Sequence, residues 1–145
     1  MDDEFVYRRV HDASRELLFE CLTQPEHLTH FWGPTGMRTP LEGIVVDLRP
    51  GGAFETVMVN DASGSEYRMR AVYVEIAPPS RLAWREVESG MITTITLEDV
   101  GGGRTEVTTW QRDVPAHYRT PEARAGSVTS LDRYAHYIAA LPRPA

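Results

Sequence analysis

Hydrophobic positions recur with two different periods along the chain, and the change from one to the other lays out the fold. Phe5 to Val10 is a short β-rich run. It gives way to a helix-start signal, with Ser14 as N-cap and Glu16 in the first turn, where the helix dipole favours negative charge. Leu17, Leu18, Cys21 and Leu22 then fall on one side of a short helix. Pro25 restarts the chain at a first helical position. Leu28, Phe31 and Trp32 follow at spacings of three and four, until Gly33-Pro34 ends this second helix.

From Met37 onward the period becomes two. The alternation predicts strands over Leu41 to Leu48, Ala53 to Asn60, Glu66 to Ile76, Leu82 to Val87, Met91 to Asp99 and Thr105 to Gln111. Between them lie Arg49-Pro50-Gly51-Gly52, Asp61-Ala62-Ser63-Gly64, Ala77-Pro78-Pro79-Ser80 and Gly101-Gly102-Gly103, all with turn chemistry. Thr120-Pro121-Glu122 opens a last helix, about 121–141, with a stripe of Val128, Leu131, Ala135 and Ile138. This order predicts an α+β fold: a seven-stranded curved antiparallel sheet wrapped around the long helix, with two short helices between strands one and two. Only the long helix is large enough to cover one face of such a sheet. A curved sheet gripping one helix leaves a space suited to a small molecule.

Composition narrows the function classes. A length of 145 residues favours one domain spanning the chain. With one cysteine there is no internal disulfide, and the opening MDDEFVYRRV lacks the pattern of a secretory signal, so a cytoplasmic location is expected. The apolar runs are too short for a membrane span. The net charge of −6 and the absence of a basic tract argue against nucleic-acid binding. All 15 basic residues are arginines, which removes Schiff-base lysines and the P-loop lysine.

Four stretches then carry a resemblance: PEHLTHFWGP, DLRPGGAFETVMVNDASG, EYRMRAVYVEIAPPSRLAW and TLEDVGGGRTEVT, in this order and spacing. Together they resemble the activator of Hsp90 ATPase homologue 1-like (AHSA1-like) family, within the START-like (SRPBCC) helix-grip superfamily, from about Phe5 to Leu141. The resemblance implies a helix-grip fold and a cavity. It does not by itself choose among the superfamily's binding proteins, cyclases and hydroxylase domains. Members commonly carry a Gly-Trp pair near the start of the long helix. Here Gly126 is followed by Ser127, which implies a larger or more polar cavity.

The glycine runs at 49–52 and 101–104 lie between strands, so they read as turns rather than phosphate loops. His27 and His30 are three apart, yet no H-E-x-x-H or CxxC pattern accompanies them, and no metal or cofactor is expected. No G-x-S-x-G elbow is present, and Cys21 on an apolar helix face reads as inert.

The candidate ligand-contacting residues share strand faces or flank the long helix: Phe54 and Met58; Tyr67, Met69 and Tyr73; Trp84 and Glu86; Trp32 on the second helix; His117 and Tyr118 before the last helix; and Ser127 within it. Plain core packing is the competing reading for each. Glu86 shares the parity of Leu82 and Trp84, and a carboxylate inside an apolar cavity has a raised pKa. Trp110 falls with Glu106 and Thr108 on the opposite face, which fits a homodimer or partner surface. The leading expectation is a protein that binds an apolar or aromatic small molecule, lipid or polyketide-like. A cyclase or dehydratase using the same cavity is the first alternative, and an Hsp90-type chaperone-associated role the second.

Overall fold

In β1 (Phe5–His11) the odd residues turn inward and the even ones face solvent, as the two-residue period of a half-buried strand requires. The structure is a computed structural model and describes residues 3–142. Ser14 caps α1 (Arg15–Thr23), its hydroxyl accepting from the Leu17 N–H at 3.2 Å. Pro25 opens α2 (Pro25–Phe31), and Trp32 ends it in an extended conformation. Consecutive aromatics are therefore aimed differently. Phe31 stays on the helix and packs edge-on against Tyr134 at 4.8 Å, whereas Trp32 turns toward Phe54 at 5.3 Å.

The sheet then builds from β2 (Met37–Arg38), β3 (Val45–Val46), β4 (Ala53–Asn60), β5 (Glu66–Ala77), β6 (Arg81–Glu86), β7 (Ile92–Gly101) and β8 (Arg104–Arg112). All pairings are antiparallel, in the order β1-β8-β7-β6-β5-β4-β2, with β3 also against β4. The helix-grip class is as expected, with one departure. Leu41 to Leu48 is not a continuous strand but a 3-10 turn, Leu41–Gly43, followed by the two-residue β3. Pro40 precedes that turn, and Gly43 passes so close to β4 that a Cβ there would lie 3.2 Å from the Val57 side chain. Leu41 and Val45 are left exposed. A β-bulge between Tyr73 and Glu75 returns Ile76 to the inner face opposite Leu82 and adds twist to the sheet.

Thr120 caps α3 (Pro121–Ala140) by accepting from the Ala123 N–H at 3.1 Å, and Pro121 occupies its first turn. The inner face of α3 is rotated from the expected stripe. Ile138 and Leu131 of that stripe do face inward, but Val128 is 40% exposed and Tyr134, outside the stripe, is only 7% exposed. The aliphatic residues alone misplace the face, because Tyr134 and the small residues Ala123, Gly126, Ser127 and Ser130 belong to it. Tyr134 and Ile138 join Leu18, Leu28, Phe31 and Leu82 in one core. Among the described residues no helix is long and apolar enough to cross a membrane.

A second anchor holds α3 to the segment after α2. One Arg133 guanidinium nitrogen, Nη1, donates to the carbonyls of Gly33, Pro34 and Met37 at 2.8, 2.9 and 3.0 Å. These carbonyls converge because Gly33 adopts φ +94°, a left-handed conformation that only glycine takes cheaply. A Cβ at Gly33 would also sit 2.7 Å from the Met58 sulfur. Gly33→Ala is therefore predicted to destabilise the fold by about 1–3 kcal/mol, from backbone strain and overpacking. Urea denaturation should show a lowered midpoint with an unchanged slope, and an unaltered midpoint would contradict this account.

Candidate functional site

The inner face of α3 changes size along its length. Its C-terminal half reaches the core with Tyr134 and Ile138, while its N-terminal half presents Ala123, Gly126, Ser127 and Ser130, too short to meet the sheet. The sheet curves away beneath them, leaving a cavity of about 520 Å³. The sheet residues Tyr7, Thr109, Ile95 and Thr93 form its floor, Met58 and its cross-strand neighbour Tyr67 line it together, and Trp32, Pro34, Met69, Glu86 and Tyr118 also face it. A volume in this range suits a drug-sized molecule.

Eight of the residues expected from the sequence line this space: Trp32, Met58, Tyr67, Met69, Trp84, Glu86, Tyr118 and Ser127. Three lie off it. Phe54 and Tyr73 are each 1% exposed and stack with ring centroids 5.4 Å apart, behind Trp84. They belong to the core because Trp32 and Trp84 cover Phe54, at 5.3 and 5.0 Å. His117 sits in the 3-10 turn Ala116–Tyr118 and is exposed, its ring against Tyr118 at 4.1 Å. That turn directs the Tyr118 ring to the cavity and the histidine to solvent.

Tyr7, Arg9 and His11 also line the cavity, and the sequence reading passed over them. The signal was present: Phe5, Tyr7, Arg9 and His11 are the odd positions of a strand with period two. Tyr134 was missed for a different reason, since an aromatic carrying a hydroxyl does not stand out in an aliphatic stripe.

The polar groups of the cavity differ in how well they are satisfied. Arg9 pairs with Asp132 of α3 at 2.9 Å. The Tyr7 hydroxyl is buried, with no hydrogen-bond partner among the described residues. Burial pushes the Glu86 carboxyl above its ordinary range; the Ser89 hydroxyl donates to its Oε1 at 3.0 Å and opposes that shift, Glu88 adds to it, and His117 opposes it. Among the described residues Glu86 has no ion-pair partner. His11 packs edge-on against Tyr134 at 5.2 Å, and burial, with a smaller push from Arg9, lowers its pKa from 6.5. Burial raises the Tyr118 phenol, with Glu86 and Glu88 adding to the effect. Tyr7 pairs through Thr109 and Ile95 to Leu82, four residues before Glu86 on β6. The two polar points are thus roughly 20 Å apart over a flattened sheet, and closer on the curved one.

The other candidate chemistries lie elsewhere. His27 Nδ1 is 2.6 Å from the Tyr137 hydroxyl, and His30 stacks on the Tyr137 ring, so both hold α2 against α3. Among the described residues no three His, Cys, Asp or Glu side chains are grouped as metal ligands would be. Cys21 is buried, and burial pushes its thiol up to about 11. Gly102 and Gly103 form the turn between β7, which Gly101 ends, and β8, and all three have positive φ. Trp110 lies on the outer face, donating from Nε1 to Glu4 at 2.9 Å beneath the Arg112 guanidinium.

A sequence model of the activator of Hsp90 ATPase homolog 1-like protein family matches residues 12–139. Among solved structures, a protein from Rhodobacter sphaeroides superposes with a TM-score of 0.84 at 22% identity, covering 99% of this chain and 97% of that one. A protein from Chromobacterium violaceum is 26% identical with a TM-score of 0.81, covering 92% of this chain and 95% of its own. An AHSA1-like protein from Aeromonas hydrophila is 19% identical with a TM-score of 0.81, covering 94% and 92%. No curated protein matches the sequence.

The lowered pKa of His11 sets the sign of a pH effect. The folded state binds fewer protons than the unfolded chain once pH falls below about 6.5, so stability must drop as pH falls through that value toward the folded pKa. Urea midpoints measured between pH 8 and pH 5 should show this loss, and His11→Leu should reduce it. An equal loss in wild type and variant would assign the effect to other groups.

Proposed function

This chain belongs to the activator of Hsp90 ATPase homolog 1-like family, and we propose that it binds one apolar or aromatic small molecule between its sheet and its long helix. The observation that carries this reading is the cavity of about 520 Å³, walled by aromatic and aliphatic side chains with a few convergent polar groups. Apolar contact would supply the affinity, at about 0.8 kcal/mol per buried methylene. Trp32 and Trp84 offer ring faces; Tyr7 and Glu86 would fix orientation from opposite ends. Met58, Tyr67, Met69, Tyr118 and Ser127 complete the proposed contacts, with Phe54 and Tyr73 supporting the ring wall from behind.

A second reading has one observation in its favour. A carboxyl raised by burial inside a ligand-sized space is suited to general-acid work, so a cyclase or dehydratase step at Glu86 is consistent with the same cavity.

Thermal shift and native mass spectrometry against acyl-chain and polycyclic aromatic compounds test the binding reading. A true ligand at a hundred times its Kd should stabilise the protein by about 2.7 kcal/mol. Ser127→Trp should fill the cavity beneath α3, lower affinity for bulky compounds at least tenfold, and leave the protein folded. If no compound stabilises the wild type, or if Ser127→Trp binds them as well as wild type does, the reading is wrong.

A further inference from the structure

Two acidic side chains line the cavity, Glu86 and Glu122, and among the described residues neither has an ion-pair partner. Glu88, two residues on, holds Arg70 at 2.6 Å; Glu75 holds Arg81 at 2.8 Å; and Asp132 holds Arg9 at 2.9 Å. Glu86 receives only the Ser89 hydroxyl, on Oε1, which leaves Oε2 without a hydrogen-bond donor among the described residues. It is half-buried at the end of β6, and Trp84 lies on the same strand face. Tyr118, Tyr67 and two thioethers, Met69 and Met91, line the same cavity.

A carboxylate in such surroundings is costly without a partner, and a cation is favoured on two counts. It pairs with the carboxylate, and aromatic residues such as Trp84 and Tyr118 are among the lining of the same cavity. The other acidic group on the cavity wall, Glu122, adds to the negative field, and Glu88 lies close enough to raise the Glu86 pKa. The basic groups on the wall offer less to an anion. Arg9 is already paired with Asp132, and Arg68 is a rim residue whose side chain is 73% exposed beside Glu66, where an ion pair is worth little.

Resting on the cavity reading above, we propose that the occupant is an apolar or aromatic amine, bound with its protonated nitrogen on the free Glu86 oxygen and its apolar body under the small face of α3. A neutral ligand of the same shape leaves Glu86 unpaired, and an acidic one faces Glu86 and Glu122 together. The ammonium group takes the place that Arg70 fills beside Glu88. The groups bearing on Glu86 are Ser89, Glu88, His117 and Tyr118. Amine binding must weaken as pH falls through the Glu86 pKa, which burial holds above the ordinary carboxylate range.

Matched trios test the assignment: naphthylethylamine, naphthylethanol and naphthylacetate, and the same three end groups on a decyl chain. Trp32 and Trp84 line the cavity, so quenching of tryptophan fluorescence reads binding, with calorimetry as a check. For at least one scaffold the amine should bind ten times or more tighter than the alcohol, with the acid weakest. Glu86→Gln retains a group for the Ser89 hydrogen bond and should remove the amine's advantage while leaving the alcohol's affinity within about twofold; tenfold corresponds to about 1.4 kcal/mol. Glu88→Gln, outside the cavity wall, should preserve the preference. Equal binding of amine and alcohol, tighter binding of the acid, or an amine preference that survives Glu86→Gln each overturns the proposal and leaves the cavity reading standing. Failure of all six compounds to bind the wild type overturns both.

Discussion

A stiff helix can rest on a curved sheet only where its side chains are long enough to reach, and in this protein that condition is met along half of α3. Tyr134 and Ile138 make the contact and set the distance between the layers. Ala123, Gly126, Ser127 and Ser130 inherit that distance without the volume to fill it. Interiors are normally packed to the density of organic crystals, so a gap of about 520 Å³ persists only if the helix is prevented from settling into it. Arg133 supplies part of that restraint. Two of its carbonyl acceptors, Gly33 and Pro34, lie in the segment that joins α2 to β2 and the third, Met37, begins β2, so the helix is tied at one end of the cavity as well as in the core. Pro34 completes the tie, lying 3.7 Å from where a Gly126 Cβ would be.

The same arrangement explains where the electrostatic strain sits. The bulk of the sheet satisfies its polar groups by ladder bonds and exposed ion pairs. On the inner face the exceptions are an orphaned Tyr7 hydroxyl, a carboxyl at Glu86 pushed toward its neutral form, and an imidazole at His11 pushed toward its own; the buried Thr56 and Tyr73 hydroxyls, and Arg112 Nε on the outer face, also lack partners among the described residues. Each works against maximal stability of the fold.

Much of the architecture was legible in the sequence because its two periods are physical. The run Ala53 to Asn60 appears as β4 with the same limits, and Thr105 to Gln111 as β8 extended by one residue at each end. Leu41 to Leu48 failed because a glycine against Val57 and a proline before the turn outweigh a modest run of β-branched residues. The site was partly legible. Parity on β6 singled out Glu86 and Trp84, but parity cannot tell a cavity wall from the packed layer behind it. Phe54 and Tyr73 therefore sit one shell too deep. In HLTHFWGP, what separates Phe31 from Trp32 is the end of α2, a backbone event that side-chain spacing does not encode.

The division of labour along α3 also bears on how such a protein changes over generations. Positions 123, 126, 127 and 130 border the empty space and carry little of the core, whereas 134 and 138 carry much of it. Substitution at the first group alters the size and shape of the space while leaving the helix moored through Tyr134, Ile138 and Arg133. A lineage can thus reshape that space by single steps on about two turns of helix, without crossing a valley of unfolded intermediates.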